Sequence, residues 1–420
     1  MGAAAGVGAG AGGCVRALGM SGALLAASIA GTAGAAGADE SGPALMSWRT
    51  DATVQAGVEA TRAGAVFGGT SFTLRSAEAR FNLVGQCGGG WCEGASVVLR
   101  PRLDARAGRG GPDLVPQPVA WPEAYLLYGT GGSQASIGKR LLGWGPGLAY
   151  SPSNRLFPDN GAVSPRREVP GKPMLTVSTG IPYGGQLTAI LAEPRTRDLA
   201  GDRIGGGFGA LRAEWRGEGP GSPILGLVSG GGGGLSPYLA AYAQHGLGDA
   251  FTIGAEASVS RRYGAGERLA WLAQNRSARH ADAVANLRYG MASGAEFGAE
   301  LIYNGFALSD AELANPAVAT QPSTARTPGW TRPLHPLVQR RYALLQFTSP
   351  SLFGNKRWGL TARALRGLDR RSADSFVELS WSARDALTLY LGHTRSVAEP
   401  ALAVSRPLGR SAYLIVESFF

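Results

Sequence analysis

The chain has 420 residues, 65 of them glycine, and carries a formal net charge of +10 at pH 7. Beyond the N-terminal region, no stretch approaches the roughly 18 consecutive apolar residues that a membrane-spanning helix requires. A helical membrane protein is therefore excluded, and any membrane crossing must be made by strands. A β-barrel or a secreted β-fold remains.

The first 38 residues have the order of a secretory signal peptide. One positive charge, Arg16, precedes a small and apolar run from Ala17 to Ala36. The run ends in Ala36-Gly37-Ala38, a small-x-small cleavage site. An N-terminal transmembrane helix is the alternative, but the run is unusually rich in Gly and Ala. We therefore predict a signal peptide over 1–38 and a single domain over 39–420.

Two cysteines follow the predicted signal peptide, Cys87 and Cys92, between two strand-like stretches. In an exported protein an even cysteine pair indicates a disulfide. Metal binding is the alternative, and no histidine lies near the pair in sequence. The spacing predicts a small disulfide ring that stiffens the tip of a loop.

Strands with a period of two recur along the chain. In 76–84, Ala77, Ala79, Phe81 and Leu83 alternate with Ser76, Glu78, Arg80 and Asn82, so that each set occupies its own face of a sheet. The same alternation is found in 95–106, 211–216, 251–260, 281–289, 295–301 and 374–381. Most segments approach the roughly 9–11 residues of a tilted bilayer-spanning strand.

The two faces of these strands differ as in a transmembrane barrel. One face is polar or charged, whereas the other is small or apolar with Trp215, Tyr289, Tyr303 and Trp381 toward the segment ends. This is the pattern of a water-filled interior and a lipid-facing exterior with aromatic girdles. We predict an all-β, transmembrane, antiparallel up-and-down barrel of 16–18 strands, with 18 favoured, in the outer membrane of a Gram-negative bacterium.

The connections and the C-terminus agree with this prediction. Gly129 to Gly132 predicts a tight turn, while 150–173 and 309–339 are long, Pro-rich and charged. Long loops of such barrels lie outside the cell. The last strand ends on Phe420, which resembles the C-terminal signal read by the barrel-insertion machinery. That machinery is therefore a predicted partner.

Motifs for chemistry are scarce. His245, His280, His335 and His393 are scattered, and none has metal-ligand spacing or a nucleophile beside it. We expect no enzymatic activity, no metal, no cofactor and no nucleic-acid partner.

The positive charge comes almost entirely from arginine, since only Lys139, Lys172 and Lys356 are lysines. The planar guanidinium suits carboxylate, phosphate and sulfate groups, so a basic interior would favour acidic solutes or acidic polysaccharide. Two alternatives remain open: arginine enrichment from a GC-rich genome, and contact of rim arginines with outer-membrane lipid and lipopolysaccharide.

One segment, 136–160, differs from the rest. A strand runs into Trp144-Gly145-Pro146-Gly147, where Gly and Pro enforce a sharp turn, and a polar loop follows. Over about 40 residues around this segment, the chain resembles the Wzi-type capsule-assembly barrels, which have a similar Trp-Gly-Pro-Gly turn and inward-folding loop. The chain departs from that family by lacking a helical region before the first strand.

The resemblance implies a surface protein that binds exported acidic polysaccharide and assists capsule or surface-glycan assembly. Aromatic residues would stack on sugar rings, and polar residues would bind hydroxyls or carboxylates. The implied ligand-binding residues are Trp144, Tyr150, Asn154, Arg155, Asp159, Arg166 and Arg167, with Tyr183 as a further aromatic candidate. Alternatively, these residues pack and pin the loop. The alternative function is a porin-like channel for small anionic solutes.

Overall fold

A computed structural model describes most of the chain. The described residues are 46–63, 71–89, 92–109, 119–157, 169–193, 207–219, 221–232, 235–260, 279–305, 307, 337, 339–399 and 408–420. The predicted signal peptide over 1–38 lies outside these residues.

The described residues form 18 β-strands. Their bounds are β1 Met46–Ala63, β2 Ser71–Cys87, β3 Ala95–Arg109, β4 Val119–Thr130, β5 Ser133–Arg140, β6 Lys172–Ile181, β7 Gly185–Ala192, β8 Phe208–Arg216, β9 Ile224–Gly232, β10 Leu235–Leu247, β11 Phe251–Ser260, β12 His280–Gly290, β13 Glu296–Asn304, β14 Arg341–Ser349, β15 Trp358–Gly367, β16 Ser372–Arg384, β17 Leu387–Ala398 and β18 Leu408–Phe419. Within the described part of the chain, no helix is long and apolar enough to cross a membrane.

The strands close into one antiparallel barrel. Each strand pairs with its neighbours in sequence, and β1 also pairs with β18 from Thr53↔Phe419 to Ala63↔Leu408. Closure satisfies the backbone groups that an open edge would leave unpaired in lipid. The predicted up-and-down barrel is confirmed, as is the favoured count of 18 strands.

The pairing register separates an inner from an outer face. In β11 the buried residues Glu256, Ser258 and Ser260 alternate with exposed Ala257 and Val259. The predicted polar inner face and apolar outer face are therefore present. An apolar exterior with such strands is the signature of an outer-membrane barrel, and the protein is a barrel of this type.

Connections at the two ends of the barrel differ in length. Gly131 and Gly132 alone join β4 to β5, and Asp385 and Ala386 alone join β16 to β17. At the opposite end the connections span 141–171, 261–279 and 305–340. Since outer-membrane barrels have short periplasmic turns and long external loops, the second end is the extracellular one.

The connection between β2 and β3 holds the disulfide. Cys87 and Cys92 are bonded, with a Cα–Cα distance of 5.8 Å. The ring lies at the short-turn, periplasmic end of the barrel.

A substitution on the outer face of the barrel tests whether β13 is surrounded by the bilayer. Leu301 lies on the outer face in the middle of β13 and is 62% exposed. We expect Leu301→Arg to lower the free energy of unfolding in lipid vesicles by about 2–4 kcal/mol, because the charge would sit in hydrocarbon. Leu368→Arg, in the turn after β15, is the control and should cost about 0–1 kcal/mol. Equal costs at both positions would contradict a bilayer around β13.

Candidate functional site

The segment 141–157, which we call the inner loop, follows β5 and folds into the barrel. All its residues from Pro146 to Phe157 are buried. A buried loop must find hydrogen-bond partners for its backbone groups. The inward-folding loop predicted from the sequence is thus present, and the wall of the barrel supplies its partners.

The two glycines of the Trp-Gly-Pro-Gly turn are required by close approach to the wall. Gly145 has φ +83°, and a Cβ atom there would lie 2.6 Å from Glu256 Oε2. A Cβ at Gly147 would lie 2.6 Å from Glu256 Oε1 and would also collide with the carbonyl oxygen of Tyr150. Glycine permits both the conformation and the contact.

Two carboxylates hold the tip of the inner loop. Glu256 on β11 accepts hydrogen bonds from the backbone N–H of Gly147 at 2.9 Å and from the hydroxyls of Ser151 at 2.9 Å and Ser153 at 2.6 Å. Glu300 on β13 accepts from the N–H of Leu148, and from the N–H of Ala149 at 3.1 Å. Between them, the two side chains accept the backbone N–H groups of three consecutive loop residues, Gly147, Leu148 and Ala149.

Side chains of the barrel wall donate hydrogen bonds to the carbonyl oxygens of the inner loop. The Asn286 side-chain amide donates to the Pro146 oxygen at 3.0 Å, and Arg288 donates to the same atom at 3.2 Å. Arg363 on β15 donates to the Leu148 oxygen at 3.1 Å. Donors and acceptors from several strands therefore fix the same short stretch of loop.

The second half of the loop is held by Asp282 on β12. Its carboxylate accepts a hydrogen bond from the Tyr150 hydroxyl at 2.8 Å and lies 3.4 Å from the guanidinium of Arg155. Arg155 also donates to the Ser258 hydroxyl at 2.9 Å. A buried charge is tolerated when it is paired in this way.

Apolar contacts complete the attachment. Trp144, Leu156 and Phe157 pack in a buried cluster with wall residues of β6 to β10. Leu148, Ala149 and Tyr150 pack in a second cluster with residues of β12 to β15. Among the described residues, neither cluster takes a member from β1 to β4. The inner loop therefore covers one side of the lumen.

The structure places four predicted ligand-binding residues in this attachment. Trp144 is 6% exposed with Arg212 over its ring, and Tyr150 is fully buried. Asn154 donates to the Leu142 oxygen and accepts from the Phe157 N–H, and Arg155 pairs with Asp282. These are the contacts of the alternative role, packing and pinning the loop.

The remaining predicted residues do not join this group. Asp159, Arg166 and Arg167 lie outside the described residues. Tyr183 is 94% exposed in the turn between β6 and β7, at the periplasmic end, with φ 65°. It is therefore not part of an aromatic platform with Trp144 and Tyr150.

The side of the lumen left by the two clusters presents arginines. Arg80 on β2 and Arg100, Arg102 and Arg106 on β3 face inward, and we call them the arginine wall. From Arg100 to Arg106 the strand rises by about 20 Å, at roughly 3.4 Å per residue. The wall therefore extends along much of the crossing.

Carboxylates lie beneath these arginines. Glu123 binds Arg100, and its side chain is 8% exposed while that of Arg100 is 48% exposed. Glu78 binds Arg80 in the same way: the Glu78 side chain is 10% exposed and the Arg80 side chain is 38% exposed. Asp104 lies 2.9 Å from Arg102 and 3.8 Å from Arg106. The carboxylates orient the guanidinium groups, which remain accessible to an anion in the lumen.

A cavity of about 180 Å³ adjoins the wall. Its lining residues are Asp51, Thr53, Arg80, Phe81, Asn82, Arg100, Pro101, Arg102 and Pro122. Within the described parts of the chain, no group of His, Cys, Asp or Glu is arranged to hold a metal ion. The cavity suits a small polar group that accepts hydrogen bonds.

The arginine wall was not predicted as a site. The alternation in the sequence did predict that Arg80, Arg100, Arg102 and Arg106 face inward. It could not predict that β2 and β3 lie on the side of the lumen that the inner loop leaves free. A usable signal was present in the spacing of Arg100, Arg102 and Arg106, since every second position of a strand shares one face.

Fold and site together define an 18-stranded outer-membrane barrel with an inner constriction and a basic wall. No family model matches the chain, and none of the curated proteins matches it. Solved outer membrane proteins are similar in fold. The outer membrane protein OpdK of Pseudomonas aeruginosa, also solved with vanillate, has 13% identity and a TM-score of 0.53, with 89% of this chain and 98% of that one covered.

Two further solved structures show the same likeness. P. aeruginosa OccK2 (OpdF), in complex with glucuronate, has 15% identity and a TM-score of 0.52. OccAB2 of Acinetobacter baumannii has 9% identity and a TM-score of 0.53. Both cover 89% of this chain and 98% of their own length. The predicted fold class and outer-membrane localisation are confirmed.

The predicted resemblance to the Wzi-type capsule-assembly family is wrong, because the structural neighbours are OpdK and OccK proteins rather than capsule-assembly proteins. The physical reason lies in the motif. In Trp144-Gly145-Pro146-Gly147, the two glycines are required by close approach of the loop to Glu256. This geometric requirement does not depend on polysaccharide binding, so the motif is not evidence for the capsule-assembly family.

Proposed function

We propose that the protein is a porin-like channel for small anionic solutes, with carboxylates as the preferred class. The observation that carries this proposal is the arginine wall, whose guanidinium groups face the side of the lumen that the inner loop leaves free. Arginine-lined pores favour anions, since fixed positive charge raises the local anion concentration. Positioned guanidinium groups also bind carboxylates through paired hydrogen bonds.

The fold neighbours support the same solute class. OpdK was solved with vanillate and OccK2 with glucuronate, and both compounds are carboxylates. The capsule-assembly function rested on a family resemblance that the comparisons contradict, and two of the aromatic residues it would use, Trp144 and Tyr150, are buried. The porin-like alternative is therefore favoured.

The proposal extends to the partners. We propose that the protein lies among lipopolysaccharide and other outer-membrane lipids, and that the insertion machinery recognises the C-terminal strand ending at Phe420. Within this proposal the protein is a conduit without enzymatic activity, and Trp144, Tyr150, Asn154 and Arg155 hold the inner loop in place.

Planar bilayers provide the direct test. We expect the purified full-length barrel to form channels whose reversal potential in a KCl gradient shows a preference for chloride. In vesicle swelling, a small carboxylate such as benzoate should enter faster than a neutral or cationic solute of equal size. A lack of conductance, or a cation preference, would overturn the proposal.

A further inference from the structure

Three arginines lie side by side on the outer face of the barrel, where its first and last strands meet. Arg62 on β1 pairs in register with Arg410 on β18, and Arg410 pairs with Arg395 on β17. All three are exposed, and the buried inner-face residue Thr61 next to Arg62 fixes the outward direction. They lie near the extracellular ends of their strands.

In the described part of the chain, no carboxylate pairs with this row of arginines. Among the described residues, none of the three forms an ion pair or a side-chain hydrogen bond. Neighbouring strands are only about 4.8 Å apart, and like charges directly opposite each other destabilise a sheet. An anion bound across the row would remove that repulsion.

The row lines a surface cleft of about 450 Å³, together with His393 and Gly409. The cleft is opened by an irregularity in strand pairing, since β1 and β18 shift register after Arg62 and skip Gly409. Bulges of this kind redirect neighbouring side chains. At Gly409 the lining carries no side chain that would fill the space.

The surface below the cleft is apolar. Val58, Leu414 and Leu391 lie four residues from Arg62, Arg410 and Arg395, respectively, toward the membrane centre. They pair in register with one another, and each is exposed on the outer face. A ligand seated at the arginines would therefore rest its remaining length on a hydrocarbon-facing surface. This combination of cation row and apolar row fits an amphiphile with an anionic head.

We propose that Arg62, Arg395 and Arg410 bind the phosphate of a phosphorylated glycolipid headgroup in the outer leaflet, with its acyl chains along Val58, Leu414 and Leu391. Guanidinium groups bind phosphate through paired hydrogen bonds. The site lies outside the lumen and is independent of solute passage. The bound lipid would bridge β17, β18 and β1 at the seam that closes the barrel.

The test is lipid binding by the full-length barrel in detergent, measured by native mass spectrometry with diphosphoryl lipid A. One charge-assisted hydrogen bond contributes on the order of tenfold in affinity. We therefore expect R62Q/R395Q/R410Q to weaken binding by about a hundredfold, allowing for non-additive losses. The corresponding triple lysine variant should keep part of the affinity, because it keeps charge without the guanidinium fork.

The matched control is K356Q/R357Q/R384Q, which removes three exposed cations at the periplasmic end. It should bind lipid A as the unmodified barrel does, and an equal loss would overturn the assigned site. Equal binding of dephosphorylated lipid A, or tight binding of inorganic phosphate alone, would also overturn the lipid assignment. Heat-modifiable migration of R62Q/R395Q/R410Q on a denaturing gel shows that the barrel is folded, so this test does not depend on the channel proposal.

Discussion

Replacing Arg80, Arg100 and Arg106 together by glutamine is expected to abolish the anion preference of the channel. These three arginines are the most exposed of the arginine wall, and glutamine preserves much of the side-chain length. Arg102 stays in place beside Asp104 and Glu78, so most of the buried carboxylate charge keeps a partner. The chloride-to-potassium permeability ratio should fall to about one or below, since fixed charge sets the selectivity of such pores.

In the same triple variant, the uptake of a small carboxylate should fall together with the anion preference. Loss of one charge-assisted hydrogen bond to the solute costs about 1.5–3 kcal/mol, or roughly tenfold or more in rate at low concentration. Vesicle swelling with benzoate measures this, with a neutral sugar as reference. Arg366→Gln is the control, because Arg366 lies exposed between inward-facing Leu365 and Gly367 and so faces outward. A triple variant with unchanged selectivity would contradict the proposed solute path.

Removing both loop-tip acceptors, in Glu256→Ala with Glu300→Ala, is expected to release the inner loop. The backbone N–H groups of Gly147, Leu148 and Ala149 would lose their acceptors, and buried donors without partners are costly. The loop packs on β6 to β15, more than half of the wall. Single-channel conductance should therefore rise, roughly twofold, with increased current noise.

The matched control for this double variant is Glu378→Ala. Glu378 also faces inward, on β16, and it accepts a hydrogen bond from the Tyr413 hydroxyl of β18 at 2.6 Å. Its removal should leave conductance close to the original value. Heat-modifiable migration on a denaturing gel shows that each barrel is folded. An unchanged conductance in the double variant would mean that Glu256 and Glu300 do not hold the constriction.

Alternating polar and apolar residues predicted those strands whose inner face contacts water. The alternation is absent, and the prediction failed, where another part of the chain packs on the inner face. The pattern in 76–84 alternates cleanly because Glu78 and Arg80 face the lumen. In 340–347 it does not, because inward-facing Tyr342 and Leu344 pack against the inner loop. That contact joins residues nearly 200 positions apart, and local periodicity cannot reveal it.

The same limit applies to β4 and to the site. Clean alternation is lost in 119–128 because β3 and β4 shift register between Arg100 and Arg102. For the inner loop, the Trp-Gly-Pro-Gly turn indicated an inward fold, but residue types alone could not decide between ligand contact and packing for Trp144 and Tyr150. In the structure both side chains are buried, and that burial depends on where β6 to β15 lie.

The tip of the inner loop is held through its main-chain groups, so the loop positions there should accept substitutions more readily than the wall positions that bind them. The N–H groups of Leu148 and Ala149 and the carbonyl oxygens of Pro146 and Leu148 are present whatever side chains those positions carry. A saturation mutagenesis library selected for unchanged conductance should thus accept other small residues at position 149, where the side chain makes none of these hydrogen bonds but burial limits its size. Few would be accepted at Glu256 and Glu300, where the side chain itself makes the contact.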